Sequence, residues 1–125
     1  MPLLKLYTLP LPAELAPATV LAALAATVAP ILGVRPTQVI SLHIELQRGS
    51  YCLGEDACDW HGPDVQPPVL DIAAFVGRSE SQIEQALQAA AATLSAQLSL
   101  EAGNAFVTYT ELQSGRVFTG GSVRQ

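Results

Sequence analysis

Apolar and polar residues alternate along four stretches of the chain, and this period of two predicts β-strands. The predicted strands cover residues 3–8, 39–46, 69–76 and 105–112, and a short extended piece follows at 116–119. Two Ala-rich stretches, at about 13–32 and 79–100, place leucines three and four residues apart and so predict helices. Ser79 with Gln82 fits a capping box at the start of the second helix. The predicted order is β-α-β followed by β-α-β, with a loop at 47–67 between the two units.

The two units are related by an internal repeat with an offset of 66 residues. The repeat places residues 45–49 (ELQRG) on 111–115 (ELQSG), residues 2–6 (PLLKL) on 68–72 (PVLDI), and Gly54 on Gly120. Right-handed crossovers can join two such units into one four-stranded mixed sheet with both helices on one face. We therefore predict a single α+β domain over residues 1–125, with pseudo-repeats at about 1–54 and 67–120 and an intervening loop at 55–66.

One face of this sheet carries no helix, so we expect neighbouring subunits to cover it. The residues predicted on this open face are Ser41, His43, Glu45, Asp71, Phe75 and Tyr109. The apolar residues of the second strand, Ile40, Leu42 and Ile44, are predicted to face the helices. Half of the residues are hydrophobic and only 14% are charged, which also indicates a surface buried against another subunit.

Charge and cysteine content exclude several classes of protein. A net charge of −5 argues against nucleic-acid binding and against attraction to anionic membranes. The uncharged stretch 15–34 has about the length of a membrane span, but two prolines and a glycine interrupt it, so we expect a helix packed on the sheet. Cys52 and Cys58 are too few for a disulfide-rich secreted scaffold. We favour two free thiols in a cytoplasmic protein over a local disulfide.

Three segments carry a resemblance to a known family: residues 1–5 (MPLLK), residues 33–44 (GVRPTQVISLHI) and residues 75–83 (FVGRSESQI). They resemble the tautomerase superfamily, whose members include macrophage migration inhibitory factor, 4-oxalocrotonate tautomerase (4-OT) and malonate semialdehyde decarboxylase. The resemblance implies the tautomerase fold and a homotrimer whose sheets line the inside, with active sites at subunit boundaries. It also implies an isomerase that needs no cofactor and acts on a small carbonyl or carboxylate compound.

Pro2 is the candidate catalytic residue. If Met1 is removed, Pro2 has a free secondary amine, and an apolar pocket lowers the pKa of that amine by disfavouring its protonated form. The neutral amine can move a proton next to a carbonyl as a general base, or attack the carbonyl as a nucleophile. If Met1 is retained, the nitrogen of Pro2 is a tertiary amide, and we then expect a non-catalytic binding or structural protein of the same fold.

Arg78, Arg35 and Phe106 are the candidate substrate-binding residues. Arg78 follows a predicted strand, where its guanidinium can hold a carboxylate with two hydrogen bonds, and the alternative is a solvated turn residue. Arg35 lies near the place of a substrate-binding lysine in the migration-inhibitory-factor branch, or else complements the dipole of the first helix. Phe106 would form an apolar wall near Pro2. The decarboxylase branch has a second arginine where this chain has Glu80, which argues against decarboxylation or dehalogenation.

Two further groups of polar residues have weaker claims. The loop 52–61 contains two cysteines, carboxylates and His61, which are metal-ligand types. The spacing of its cysteines differs from that of common zinc sites, so we expect no bound metal. His43 and Glu45 lie two residues apart on one strand, where they form either an acid–base pair or an interface hydrogen bond.

Overall fold

The computed structural model describes residues 1–125 as a four-stranded sheet with two helices packed on one face. The main elements are β1 (Leu3–Thr8), α1 (Pro17–Leu32), β2 (Ile40–Glu45), β5 (Val69–Phe75), α2 (Glu80–Gln97) and β6 (Phe106–Leu112). Two short hairpins follow β2 and β6: β3 (Cys52–Leu53) with β4 (Asp56–Ala57), and β7 (Val117–Thr119) with β8 (Ser122–Arg124).

The helix ends follow the local sequence. α1 begins at Pro17, later than predicted, because the fixed φ and missing N–H of proline suit the first helical position. It ends at Leu32, because the next residue, Gly33, has a φ of 74°, the left-handed conformation that glycine adopts without a steric penalty. The capping box of α2 is confirmed, since the Ser79 hydroxyl accepts from the Gln82 N–H at 3.1 Å and Gln82 Oε1 accepts from the Ser79 N–H at 3.1 Å.

The strand order in the sheet is β2-β1-β5-β6, with β1 and β5 antiparallel at the centre and a parallel pair on each side. The predicted four-stranded mixed α+β architecture is therefore confirmed. The apolar core lies between the sheet and the helices, and its large members are Leu4, Leu6, Val20, Leu24, Val28, Leu70, Ile72 and Leu94. Neither helix combines the length and the apolar character needed to cross a membrane.

The repeat in the sequence corresponds to a pseudo-twofold axis that relates the two halves of the structure. Lys5 pairs with Asp71 across the central strands, and the hydroxyl oxygens of Thr27 and Thr93 lie 3.0 Å apart between the helices. Each of these pairs is separated by the repeat offset of 66 residues, so the axis passes through both contacts.

The two hairpins obey the same repeat. Cys52 pairs with Ala57 in the first hairpin, and Phe118 pairs with Val123, 66 residues later, in the second. The first hairpin lies within the stretch predicted as a loop at 47–67. Strands of two residues are too short to show an alternating pattern, and this is why the sequence analysis missed them.

The open face of the sheet differs from the prediction. The parallel register pairs Leu6 with His43 and Tyr7 with Ile44, so His43 shares the helix-covered face with the buried Leu6. The residues wrongly predicted on the open face are Ser41, His43, Glu45 and Tyr109. Asp71 and Phe75 do lie there, together with Ile40, Leu42 and Ile44, which are 46%, 47% and 37% exposed. Alternation identifies two faces of a strand, but it cannot tell which face the helices cover when the uncovered face is also apolar.

Candidate functional site

Pro2 lies at the amino-terminal end of the sheet, which we define as the edge where β1 and β2 begin and β5 and β6 end. Pro2 is buried there, and its carbonyl accepts a hydrogen bond from the Ile40 N–H at 3.0 Å. With Met1 in place, the nitrogen of Pro2 is an amide, and the free amine belongs to Met1. Removal of one residue would transfer the free amine to the buried proline.

Arg78 joins a helix to a strand at this end. Its Nε and Nη2 donate to the Leu32 carbonyl at 3.2 and 2.9 Å, and its Nη1 donates to the Phe75 carbonyl at 3.0 Å. Leu32 is the last residue of α1, so the cation also meets the negative end of the helix dipole. A guanidinium has five N–H donors, which leaves one on Nη1 and one on Nη2 for another acceptor. A structural role and substrate contact are therefore compatible at Arg78, and its binding role stays a prediction.

Arg124 is the residue at this site that the sequence analysis missed. Burial lowers the pKa of the Met1 amine, and the positive charges of Arg124 and Arg78 lower it further. Arg124 comes from β8, and this hairpin also brings the Thr119 hydroxyl within 4.0 Å of the Met1 sulfur. The signal that could have found Arg124 is the alignment of Gly54 with Gly120, because it places a hairpin turn at this end.

The side chain of Arg124 lies across the hairpin turn at Gly120. The φ of Gly120, 63°, lies in the left-handed region, where glycine is favoured. The Arg124 guanidinium lies against Gly120, in the space that a Cβ would occupy.

A small opening of about 220 Å³ lies next to Arg124, and neither Pro2 nor Arg78 lines it. Its lining residues are Phe75, Val76, Ser114, Arg124 and Gln125. Ligand pockets for drug-sized molecules start at about 300 Å³, so this opening suits a smaller compound. The guanidinium of Arg124 is its only cationic group, and the pocket can therefore accept a carboxylate.

Arg35 lies at the same end of the molecule but is not tied to the other groups. It is exposed and precedes a single 3₁₀ turn, Pro36–Gln38, and its backbone N–H donates to Gln38 Oε1 at 2.9 Å. This turn leads directly into β2, whose first residue pairs with Leu3. The predicted binding role of Arg35 stays a prediction.

Phe106 lies at the opposite end of the open face from Pro2. It pairs with Val69 at the start of β5, whereas Leu3, next to Pro2, pairs with Ala73. At about 3.3 Å per residue, Phe106 and Pro2 are separated by roughly 17 Å along the strands. Phe106 cannot line a pocket with Pro2 of its own chain, and a shared pocket requires a second copy.

His43 and Tyr109 occupy equivalent positions on the helix-covered face. His43 Nε2 and the Thr8 hydroxyl are hydrogen-bonded at 2.7 Å; burial lowers the pKa of His43 and the Glu45 charge opposes this. The Tyr109 hydroxyl is buried without a partner, and burial raises its pKa while the Arg78 charge opposes the rise. His43 is thus bound to a core threonine rather than exposed on the open face.

His61 fixes the loop at the other end of the sheet. Its Nε2 accepts from the Leu9 N–H at 3.0 Å, and its Nδ1 donates to the Gln66 carbonyl at 2.6 Å. The ring also packs edge-on against Tyr51, with centroids 5.9 Å apart. Burial lowers the pKa of His61, and the hydrogen bond to Gln66 opposes this effect. Since both ring nitrogens have backbone partners, His61 has no free nitrogen for a metal or a substrate.

The two cysteines of this loop are free and differ in environment. Cys52 is exposed, whereas Cys58 is buried and its sulfur accepts from Gln66 Nε2 at 3.1 Å. No group of three or more His, Cys, Asp or Glu side chains converges to hold a metal ion.

Solved structures identify the fold. Native fused 4-OT matches with a TM-score of 0.80 and 22% identity, over 97% of this chain and 94% of that chain. A member of the cis-3-chloroacrylic acid dehalogenase family matches with a TM-score of 0.77 and 17% identity, over 98% of this chain and 83% of that chain. A malonate semialdehyde decarboxylase inhibited by 3-bromopropiolate matches with a TM-score of 0.69 and 14% identity, over 94% and 88%. The chain therefore has the tautomerase-superfamily fold, and the predicted resemblance is confirmed at the level of fold.

No protein-family model matches the sequence, and no curated protein matches it either. At identities of 14–22%, the structural matches establish the fold and leave the activity to be argued from the site.

Proposed function

We propose that the chain is a cofactor-independent isomerase of the tautomerase type, in which Pro2, freed by removal of Met1, acts on a small carbonyl or carboxylate substrate. The observation that carries this proposal is the position of the amino terminus. In a tautomerase-type fold, it lies beside Arg78 and Arg124, in surroundings that lower the pKa of a terminal amine. A lowered pKa leaves more of the amine neutral near neutral pH, which is the form a general base needs.

The chemistry needs only this amine and an anchor for the substrate. The neutral prolyl nitrogen accepts a proton from the carbon next to a carbonyl, and the electron pair left behind forms an enolate. The protonated amine then returns the proton at another atom of the conjugated system, which completes the isomerisation. Atoms and charge balance without a cofactor.

Arg124 and Arg78 divide the task of anchoring the substrate. Arg124 faces the small opening and can pair with a carboxylate through its planar guanidinium. Arg78 does not line this opening, but it has two N–H groups left after its contacts with Leu32 and Phe75, and these can donate to a substrate that lies closer to the amino terminus. Positive charge near the substrate also stabilises the enolate that forms during the reaction.

We also propose that the chain assembles as a homotrimer. Some of the similar structures are fused 4-OT trimers, described as asymmetric and symmetric. The exposed Ile40, Leu42 and Phe106 on the open face give each copy an apolar surface to bury. A pocket that contains both Pro2 and Phe106 requires Phe106 from a second copy, since the two residues lie at opposite ends of the open face of one chain.

A second candidate function is a non-catalytic binding or structural protein with Met1 retained. The observation that favours it is the contact between Met1 and Thr119, because the hairpin accommodates the additional residue. In this case the nitrogen of Pro2 has no basicity, and the arginines would bind an anion without turnover.

Two measurements separate these candidates. The mass of the mature chain shows whether Met1 is present. A panel of enol and unsaturated acids, assayed with the protein lacking Met1, then tests for turnover. Isomerisation of any panel compound supports the enzyme, whereas retention of Met1 in the native host favours the binding protein. We further propose a cytoplasmic location, where the thiols of Cys52 and Cys58 stay reduced.

A further inference from the structure

A cavity of about 340 Å³ lies at the end of the sheet opposite Pro2. Its lining residues are Pro10, Leu11, Pro12, Arg48, Asp59, Trp60, His61, Leu98 and Leu100. Its volume lies within the usual range for small-molecule sites. It contains one cation, one carboxylate and an indole, and none of these is used by the proposed isomerase site.

The repeat shows what occupies the equivalent position at the other end. Subtracting 66 from Leu98 gives Leu32, and adding 66 to Pro12 gives Arg78. Leu32 and Arg78 are the pair joined by the two guanidinium hydrogen bonds. The cavity therefore includes the place that, in the other half of the molecule, the Arg78 side chain fills below a helix end. The rest of the equivalent space is open in both halves, because Pro10, Arg48 and Asp59 of the cavity correspond to Val76, Ser114 and Gln125 of the small opening.

The backbone at the two ends supports this equivalence. The Ile40 N–H donates to the Pro2 carbonyl at 3.0 Å, and the Phe106 N–H donates to the Pro68 carbonyl at 2.9 Å. The backbone is also equivalent where the helices end. The Val34 N–H donates to the Ala29 carbonyl at 3.0 Å, and the Leu100 N–H donates to the Ser95 carbonyl at 2.8 Å. The two helix ends thus have the same backbone geometry, but only one of them has an arginine.

The chemistry of the cavity favours a cation at this position. The last turn of α2 contains no basic residue, so nothing in the helix itself offsets the negative end of its dipole. Asp59 adds a carboxylate to the lining, and the indole of Trp60 is 70% exposed, so its face can contact a planar cation. His61 keeps this geometry fixed through its two backbone hydrogen bonds.

We propose that this cavity binds the guanidinium group of a small ligand, in the position that Arg78 fills in the other half. Asp59 accepts hydrogen bonds from the guanidinium, and Trp60 covers its face. Arg48 also lines the cavity and would repel a second cation. The preferred ligand therefore has a carboxylate at its other end, which pairs with Arg48.

The single tryptophan of the chain provides a direct readout. Trp60 lines the cavity, so we expect its fluorescence to change in a saturable way on titration with 4-guanidinobutyrate. Agmatine, which has an ammonium in place of the carboxylate, should bind more weakly because of Arg48. Butyrate, which lacks the guanidinium, should cause no saturable change. Butyrate binding as tightly as 4-guanidinobutyrate would overturn the proposal, and so would the absence of any saturable change confirmed by calorimetry.

Two variants test the position of the ligand. Pro12→Arg introduces the residue found at the equivalent position of the other half. The arginine side chain should fill the cavity and abolish the fluorescence response. Asp59→Asn keeps the shape and removes the charge, and it should weaken 4-guanidinobutyrate binding about tenfold or more, as for a hydrogen bond to a charged group. If circular dichroism shows that Pro12→Arg does not fold, Asp59→Asn decides alone. Unchanged affinity in Asp59→Asn would overturn the proposal.

Discussion

The two ends of the sheet share the backbone pattern of their strand starts and helix C-termini, but they differ in chemistry. At the amino-terminal end, Arg78 reaches the carbonyl of Leu32 and ties α1 to the end of β5. At the opposite end, Pro12 stands in the place of Arg78, and Leu98 lines a cavity instead of receiving a guanidinium. The residue at this position of the repeat, arginine or proline, thus distinguishes a helix end that a guanidinium caps from one that lines a cavity.

The ends also differ in their prolines. Pro2 follows Met1, and removal of that one residue gives a free amine. Pro68, the equivalent residue, is internal and buried, so its nitrogen stays an amide. A fold with two equivalent halves can therefore hold only one prolyl amine, and the catalytic proposal applies to one end alone.

The largest expected effect is the loss of turnover when the amine of Pro2 is blocked. If Pro2 is the base, one additional residue ahead of it converts its amine to an amide, and turnover should fall by about 10²–10⁴-fold, the usual contribution of a placed base. The measurement is kcat/KM for a panel substrate, with processed and extended proteins of verified mass.

Pro2→Ala is the matched control, since it keeps a terminal amine and should lose only part of the rate. The equivalent change in the other half, Pro68→Ala, removes no amine and should leave the chemical step unaffected. Equal rates for processed and extended proteins would show that Pro2 is not the base.

The second expected effect concerns the arginines at the amino-terminal end. Arg124→Gln removes a charge without a known structural contact to the helices, so it should raise KM for carboxylate substrates by about tenfold or more, with little change in stability. Arg78→Gln should in addition destabilise the fold, because it removes three hydrogen bonds to carbonyls. The measurements are KM and the free energy of unfolding in urea. A stability loss in Arg124→Gln equal to that in Arg78→Gln would contradict this division of roles.

The sequence predicted the architecture well because the strands and helices are long enough to show their periods. The repeat at an offset of 66 also predicted the two-unit sheet, and Pro2 and Arg78 do lie at one end of it. Arg124 could not be found in this way, since it lies on a strand of only three residues. The separation of Phe106 from Pro2 depends on which ends of β5 and β6 meet the start of β1, and no local pattern encodes that pairing.

The third expected effect concerns the other end of the sheet and depends on pH. Burial lowers the folded-state pKa of His61 below its ordinary value of 6.5, so folding favours the neutral ring. The stability that His61 contributes is therefore present above pH 6.5 and is lost as the pH falls through the lowered folded-state value. Protonation also removes the lone pair that accepts from the Leu9 N–H.

His61→Phe should destabilise the protein at pH 7.5 by about 1–3 kcal/mol, because two backbone groups lose their partners. The difference in the free energy of unfolding between this variant and the wild-type protein should become smaller as the pH falls toward 5. The measurement is the free energy of unfolding at several pH values. His43, whose pKa burial also lowers, contributes to the pH dependence of both proteins and cancels in the difference between them. A constant difference across this range would contradict the role assigned to His61.

The smallest expected effect compares the two halves within the core. His43 and Tyr109 are equivalent in the repeat, and so are Thr8 and Ala74. Thr8 and His43 form a hydrogen bond at 2.7 Å, whereas Ala74 has no hydroxyl and the Tyr109 hydroxyl is buried without a partner.

Tyr109→Phe removes a polar atom that has no partner, so it should leave the free energy of unfolding unchanged or raise it by up to about 1 kcal/mol. Thr8→Val, the matched variant, leaves His43 unpaired and should lower it by about 1–3 kcal/mol. A greater loss in Tyr109→Phe than in Thr8→Val, measured by urea unfolding at pH 7.5, would show that the Tyr109 hydroxyl has a partner in solution, such as a buried water or a group from a second copy.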